Sequence, residues 1–155
     1  MPCASHLSTS SGPRTIHGTI RRLLLAALIG FGSAGSSAQQ VVANADVTDT
    51  DISRNEARLF FTMRLQYWPN KRPVTVFVLP DDHPLHIAFA KTILGLFPYQ
   101  LRRVWDRQLF SGTGQAPITV ANEEEMLRRV ATTPGAIGYL QRPPRDTRIL
   151  PIRVR

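Results

Sequence analysis

Val74-Thr75-Val76-Phe77-Val78-Leu79 is the stretch whose reading decides the fold: β-branched and aromatic side chains, apolar at nearly every position. A strand that is apolar on both faces is buried on both, as happens where helices cover each side of a sheet. The reading predicts a strand at the centre of such a sheet. Before it, Tyr67-Trp68-Pro69-Asn70-Lys71-Arg72-Pro73 breaks any helix, because both prolines disfavour one and Asn70 is a turn former. After it, Pro80-Asp81-Asp82-His83-Pro84 ends the strand and starts a helix, with Asp82 or His83 as the cap and Pro84 in the first turn.

Working outward, residues 40–43 read as a first strand and residues 44–51 as a turn. Ser53-Arg54-Asn55-Glu56 is a capping box opening a helix that should reach about Met63, with Ala57, Phe60, Phe61 and Arg64 on one face. In the helix begun at Pro84, Leu85, Ala88, Phe89 and Ile93 form the predicted buried stripe and Gly95 the stop. Pro98 opens a third helix to about Phe110, with Leu101, Val104 and Trp105 inward and Arg102, Arg103, Asp106 and Arg107 outward. Asn122 with Glu125 caps a fourth, running through Ala131. Thr133-Pro134-Gly135 is a turn, and residues 136–140 and 149–154 are strands joined by a polar connection. Strands that alternate with helices argue for a three-layer α/β sandwich.

The N-terminal part reads differently. Residues 1–38 contain Arg14, Arg21 and Arg22 and no acid, then the apolar run Leu23-Leu-Leu-Ala-Ala-Leu-Ile-Gly-Phe31, then Gly32-Ser-Ala-Gly-Ser-Ser-Ala38. A basic segment, a short apolar segment and a small-residue site, in that order, mark a secretory signal. Cleavage is expected between Ala38 and Gln39. The apolar run is far short of the roughly 20 residues of a membrane span, so no permanent anchor is expected. Arg21-Arg22 before the leucines leaves twin-arginine export open beside the general secretory route.

Cleavage would remove Cys3, the only cysteine, and with it any disulfide, thiol nucleophile or thiolate metal site. It leaves 117 of the 155 residues and reduces the formal charge from +8 to +5. That length is enough for one core. The basic residues form no continuous run and an exported protein seldom meets nucleic acid, so nucleic acid is not an expected partner.

Three segments carry a family likeness: Ile52-Ser53-Arg54 through Glu56 to Phe60-Phe61 with Trp68-Pro69-Asn70 and Pro73; Trp105 to Phe110-Ser-Gly-Thr-Gly-Gln; and Thr133-Pro-Gly-Ala-Ile-Gly-Tyr139. They resemble the substrate-binding proteins of phosphate-type ABC transporters, which have the type 2 periplasmic binding-protein fold. The resemblance implies a single lobe of that fold over residues 39–155, no catalytic residues, no cofactor, and a periplasmic or secreted location. It implies a small oxyanion such as phosphate as ligand, and a membrane transporter or another envelope protein as partner. Two features depart from the family. Its members clamp their ligand between two lobes, and its phosphate binders usually carry an Arg-containing stretch with Ser-Gly-Thr at the helix start after the central strand. Here that place reads Leu79-Pro80-Asp81-Asp82-His83-Pro84, and two aspartates repel an anion.

The candidate anion site is the loop Ser111-Gly112-Thr113-Gly114, whose N–H groups would form a nest with Arg107 one turn earlier supplying charge. The alternative is a plain turn. His83 and His86 with Asp82, close to Asp81, have spacing that can hold a divalent metal; the alternative is a solvated helix cap with surface histidines. Glu123-Glu124-Glu125 complements the dipole of the helix it opens. Tyr139 either covers a cleft or packs. With only His83 and His86 after residue 38 and no Gly-x-Ser-x-Gly, a hydrolase finds no support. The expected function is non-enzymatic solute binding; the rival is an envelope protein-interaction scaffold without a small ligand.

Overall fold

A computed structural model describes residues 39–112 and 114–155. The expected signal, with its Ala38 side of the cleavage site, and Thr113 lie outside the described residues. The elements in chain order are β1 (Gln40–Asn44), β2 (Asp51–Ile52), α1 (Arg54–Phe61), β3 (Thr75–Val78), α2 (Pro84–Phe89), α3 (Pro98–Ser111), β4 (Ile118–Thr119), α4 (Glu123–Thr132), β5 (Ala136–Leu140) and β6 (Ile149–Val154). Every strand and helix read from the sequence is present. The two-residue strands β2 and β4 are additions, too short to leave a periodic signal.

The strands form one mixed sheet in the order β2-β6-β1-β5-β3-β4. β3 runs parallel to both its neighbours, β5 and β4, while β1 is antiparallel to β5 and β6. The expectation that residues 74–79 lie at the sheet centre is therefore corrected: β1 and β5 hold the centre, and β3 is one strand from the edge. Its apolar run is accounted for all the same, since helices cover both faces and Val76, Phe77, Val78 and Leu79 are all buried.

Consecutive residues of β5 show the layers. A Cβ on Gly138 would sit 2.6 Å from Met126 Sδ and 3.2 Å from Val130 Cγ2, so this strand position faces α4 at backbone contact. The next residue, Tyr139, points to the opposite face, stacked on Phe89 of α2 at 3.9 Å and near Phe61 of α1 at 5.9 Å. α4 thus forms one layer and α1, α2 and α3 the other. Gly138 thus admits a close approach by a helix.

Local chemistry sets the helix ends. Ser53 Oγ accepts from Glu56 N–H at 3.1 Å and the Glu56 carboxylate accepts from Ser53 N–H at 2.7 Å, a complete capping box. That backbone hydrogen bond, then the one from the Ser53 hydroxyl, holds the Glu56 carboxyl below its usual range. Asn122 caps α4 through Glu125 N–H. After Phe89, the chain continues through residues Ala90–Leu94 in the wider π geometry and stops at Gly95, whose φ is +65°. The buried stripe is Leu85, His86, Phe89 and Ala90, and after the wider turn Leu94 takes the inward place expected of Ile93; Ala88 and Ile93 are only half-buried. Arg64, expected on the face of α1 that carries Phe60 and Phe61, is exposed because α1 ends at Phe61 and Met63 takes a left-handed φ of 59°.

Candidate functional site

In open α/β sheets ligands gather outside the carboxyl ends of the parallel strands. In this chain that region lies past Val78, where the loop from Leu79 to His83 meets α2, α3 and Tyr139. Leu79 N–H donates to Tyr139 Oη at 2.8 Å. The Tyr139 hydroxyl lies 2.6 Å from His86 Nδ1, and donation to that nitrogen is the arrangement that gives its own buried proton an acceptor among the described residues. That contact makes Nδ1 the acceptor and leaves the imidazole proton on Nε2.

Nε2 has no hydrogen-bond partner among the described residues and lies 4.0 Å from Asp81 Oδ1. Asp81 is gripped from the other side: Arg102 Nε and Nη2 donate to its two oxygens, each at 2.8 Å. The guanidinium of Arg102 lies 5.1 Å from the ring centre of Trp105, one helical turn on. A planar fork against a carboxylate, backed by an aromatic face, is the geometry in which arginine holds best. The hydrogen bond to Asp81 raises the Arg102 pKa above its ordinary value.

Burial decides the protonation states here. His86 is fully buried, and burial, with smaller contributions from Arg102 and His83, outweighs the attraction of Asp81 and lowers its pKa. Burial pushes the Tyr139 hydroxyl far above its usual range. Both are neutral at pH 7.

A pH dependence follows with a definite sign. Protonation of His86 is easier in the unfolded chain, whose imidazole titrates near 6.5. Its stabilising contribution is complete above that value and is lost as pH falls below it, at up to about 1.4 kcal/mol per pH unit. The urea midpoint should therefore fall between about pH 6.5 and about pH 5, above the range in which carboxylates titrate. In a His86→Phe chain that slope should be absent; a midpoint flat across the window in the parent chain would contradict the neutral buried imidazole.

The metal candidates are not brought together. His83 caps α2, its Nδ1 accepting from Leu85 N–H at 3.2 Å, whereas His86 is turned inward to Tyr139. Asp82 is exposed. Among the described residues no three metal-ligating side chains converge. The alternative reading of two surface histidines is corrected for His86: it lies one turn before Phe89 and Ala90 on the inward face of α2 and is buried. Tyr139 packs, as one of its two readings had it.

The loop after α3 is built as a helix terminator. Ser111 Oγ donates back to Arg107 O at 2.7 Å, and Gly112, at φ +65°, donates its N–H to Leu109 O at 3.2 Å. Gly114 lies against Gln108, whose Oε1 is 2.8 Å from where a Cβ would be. Arg107 is exposed. The end of a 14-residue helix presents carbonyls, the negative pole of its dipole, and the Gly112 N–H is engaged in closing it. That arrangement works against an anion.

Two concavities flank these elements. A shallow one of about 590 Å³ runs between α2 and α3 beside Asp81 and Arg102, with Lys91, Arg103, Phe97 and Tyr99 on its walls. A narrower one of about 260 Å³ is lined by Asp49, Asp51, Glu56, Tyr67 and Trp68. The second has three carboxylates and, among the described residues, no cation, whereas the first sets Lys91, Arg102 and Arg103 against Asp81 and Asp82, so of these two the first is the candidate. Sequence reasoning placed Arg102 outward on α3 and did not pair it with Asp81, 21 residues earlier. Nothing in their spacing could have done so.

With this geometry in view the chain can be set beside solved structures. An ABC-type phosphate transport receptor from Vibrio cholerae superimposes with a TM-score of 0.58 at 12% identity, over 75% of this chain and 45% of that one. A putative phosphate ABC transporter substrate-binding protein from Clostridium perfringens, with bound phosphate, gives 0.58 at 16% over 76% and 46%. The fold is that of one lobe of a phosphate-type binding protein. PstS from Borrelia burgdorferi agrees, at 0.56 and 12% identity over 76% and 47%. The chain spans less than half the length of each of these proteins. Its sequence matches no protein-family model and no curated protein. Among the described residues no helix is long and apolar enough to cross a membrane.

Proposed function

We propose that this chain is an exported, non-enzymatic solute-binding lobe that takes a small oxyanion such as phosphate and works beside an ABC-type transporter in the periplasm. The observation that carries the reading is the superposition of its sheet and helices on a phosphate transport receptor and on a putative phosphate transporter substrate-binding protein with bound phosphate. The signal-like residues 1–38 support export. A non-enzymatic role is supported by the polar cluster itself: Tyr139 and His86 are held by one another beneath the surface, so neither presents a nucleophile or base to a substrate.

A second reading, an envelope scaffold with no small ligand, is favoured by the large apolar side chains left in solvent at the end of α3 and on the edge strand: Phe110 is 91% exposed, Leu109 52% and Ile118 47%. Such groups mark contact surfaces when they gather into a patch. A thermal-shift screen of oxyanions on the purified protein separates the two. Phosphate should raise the melting temperature saturably, because a ligand that binds only the folded state stabilises it by mass action. No shift with any oxyanion at millimolar concentration would favour the scaffold.

A further inference from the structure

We propose that Arg102 is the anion-recognising residue of this lobe and that Asp81 is its built-in occupant, a carboxylate of the chain holding the place an oxyanion ligand takes. The inference rests on the oxyanion reading above and locates it. Arg102 presents Nε and Nη2 side by side, and both oxygens of Asp81 accept from them at 2.8 Å. Two coplanar oxygens on that fork are what phosphate, sulfate or a ligand carboxylate would offer in the same place. The site is within reach of solvent, since the side chains of Arg102 and Asp81 are 41% and 36% exposed. It opens on the shallow concavity whose other cations are Lys91 and Arg103. The N-terminus of α2 takes no part: the helix has six residues and His83 already accepts from Leu85 N–H.

The displaced carboxylate has a second partner waiting. His86 Nε2 carries the imidazole proton, is fully buried, and has no acceptor among the described residues; it lies 4.0 Å from the oxygen of Asp81 that also faces Arg102 Nη2. Asp81 therefore has two donors and satisfies one. A small rotation that carries Asp81 off Arg102 brings it onto Nε2–H, so the buried donor gains an acceptor as the guanidinium is freed. Until then the carboxylate competes from within the chain as a partner that is always in place. A free oxyanion therefore meets an arginine that is already occupied.

Titration calorimetry with inorganic phosphate on the full chain tests this with three variants. Asp81→Asn should bind phosphate at least about tenfold more tightly than the parent, because a neutral amide cannot match a carboxylate on a guanidinium. Asp82→Asn removes the same charge one residue away and should gain far less. Adding Arg102→Lys to Asp81→Asn keeps the charge, loses the fork and should erase most of the gain. Equal gains for the two asparagine variants, or a gain that survives Arg102→Lys, would overturn the assignment. If the parent chain binds phosphate and none of the variants alters its affinity, Arg102 is refuted and the oxyanion reading stands. If neither the parent nor Asp81→Asn binds phosphate, both fall.

Discussion

A Gly135→Val chain should fail to populate the native fold. Gly135 has φ +71°, where a β-branched residue is a rare outlier, and a Cβ there would run into the carbonyl oxygen of Pro73. Relief by movement is blocked on every side. The N–H of Gly135 donates to Asp46 Oδ1 at 3.1 Å, and its carbonyl accepts from Trp68 Nε1 at 3.0 Å and Thr75 N–H at 3.2 Å. Arg72, whose Cγ is 3.2 Å from the absent Cβ, is tied to Asp46 at 2.7 Å. The loop after β1, the Trp68 loop, the start of β3 and the start of β5 thus meet at one residue without a side chain. Strain and lost hydrogen bonds together should exceed about 4 kcal/mol, nearly the whole stability of a domain at the lower end of the usual range of roughly 5–15 kcal/mol. Far-UV circular dichroism and urea unfolding of the variant would show it; a midpoint within experimental error of the parent chain would mean the turn is built differently.

Trp105→Ala should cost about 3–5 kcal/mol, the range for emptying a buried aromatic site. Trp105 is fully buried on α3, and its Nε1 donates to Phe61 O at 2.9 Å, so truncation opens a cavity and also leaves a carbonyl at the end of α1 without its donor. Trp105→Phe separates the two effects. It returns most of the volume and leaves the carbonyl unpaired, so it should cost nearer 1 kcal/mol beyond the small loss of size. Urea unfolding measures both, and Trp68, the only other tryptophan in the chain, remains as the fluorescence reporter. Equal losses for alanine and phenylalanine would place the whole effect in the hydrogen bond. Because the Trp105 ring also backs the Arg102 guanidinium, either variant should loosen the Asp81–Arg102 pair.

How far the sequence could be read is clearest at α2. Pro80 through Pro84 announced the end of β3 and a helix start, and His83 is the cap that Pro84 in the first turn implied. The same reading put His86 at the surface. It lies one turn before Phe89 and Ala90 on the inward face of α2, and its burial is completed by the hydroxyl of Tyr139, 53 residues away. β3 tells a similar story. Its apolar run correctly implied burial on both faces, but its place in the sheet is set by how β1 inserts between β5 and β6, a pairing of strands from opposite ends of the described chain.

The resemblance carried in Thr133-Pro134-Gly135-Ala136-Ile137-Gly138-Tyr139 pointed to the fold that the structure has, and the structure supplies a reason for each glycine: Gly135 for a left-handed turn under Pro73, Gly138 for the approach of Met126. The candidate site was less legible. The loop at residues 111–114 has the composition of an anion nest, yet it follows α3 and so lies at the carbonyl end of that helix, a consequence of chain order that the composition hides. The pair that does present an anion-binding geometry, Asp81 and Arg102, reads in the sequence as a repulsive aspartate and a solvated arginine.

By itself, then, the sequence determined the order and kind of the elements, their caps and stops, and the burial of β3. These are written in local spacing, because capping, turn formation and amphipathic periodicity act within a few residues of one another. Only the tertiary structure decided which strand holds the centre of the sheet, that His86 is buried and neutral, and that Asp81 occupies Arg102. Those outcomes depend on groups far apart in the chain, and their energies come from desolvation and from donor and acceptor meeting at fixed angles, neither of which exists until the sheet and its helices have closed.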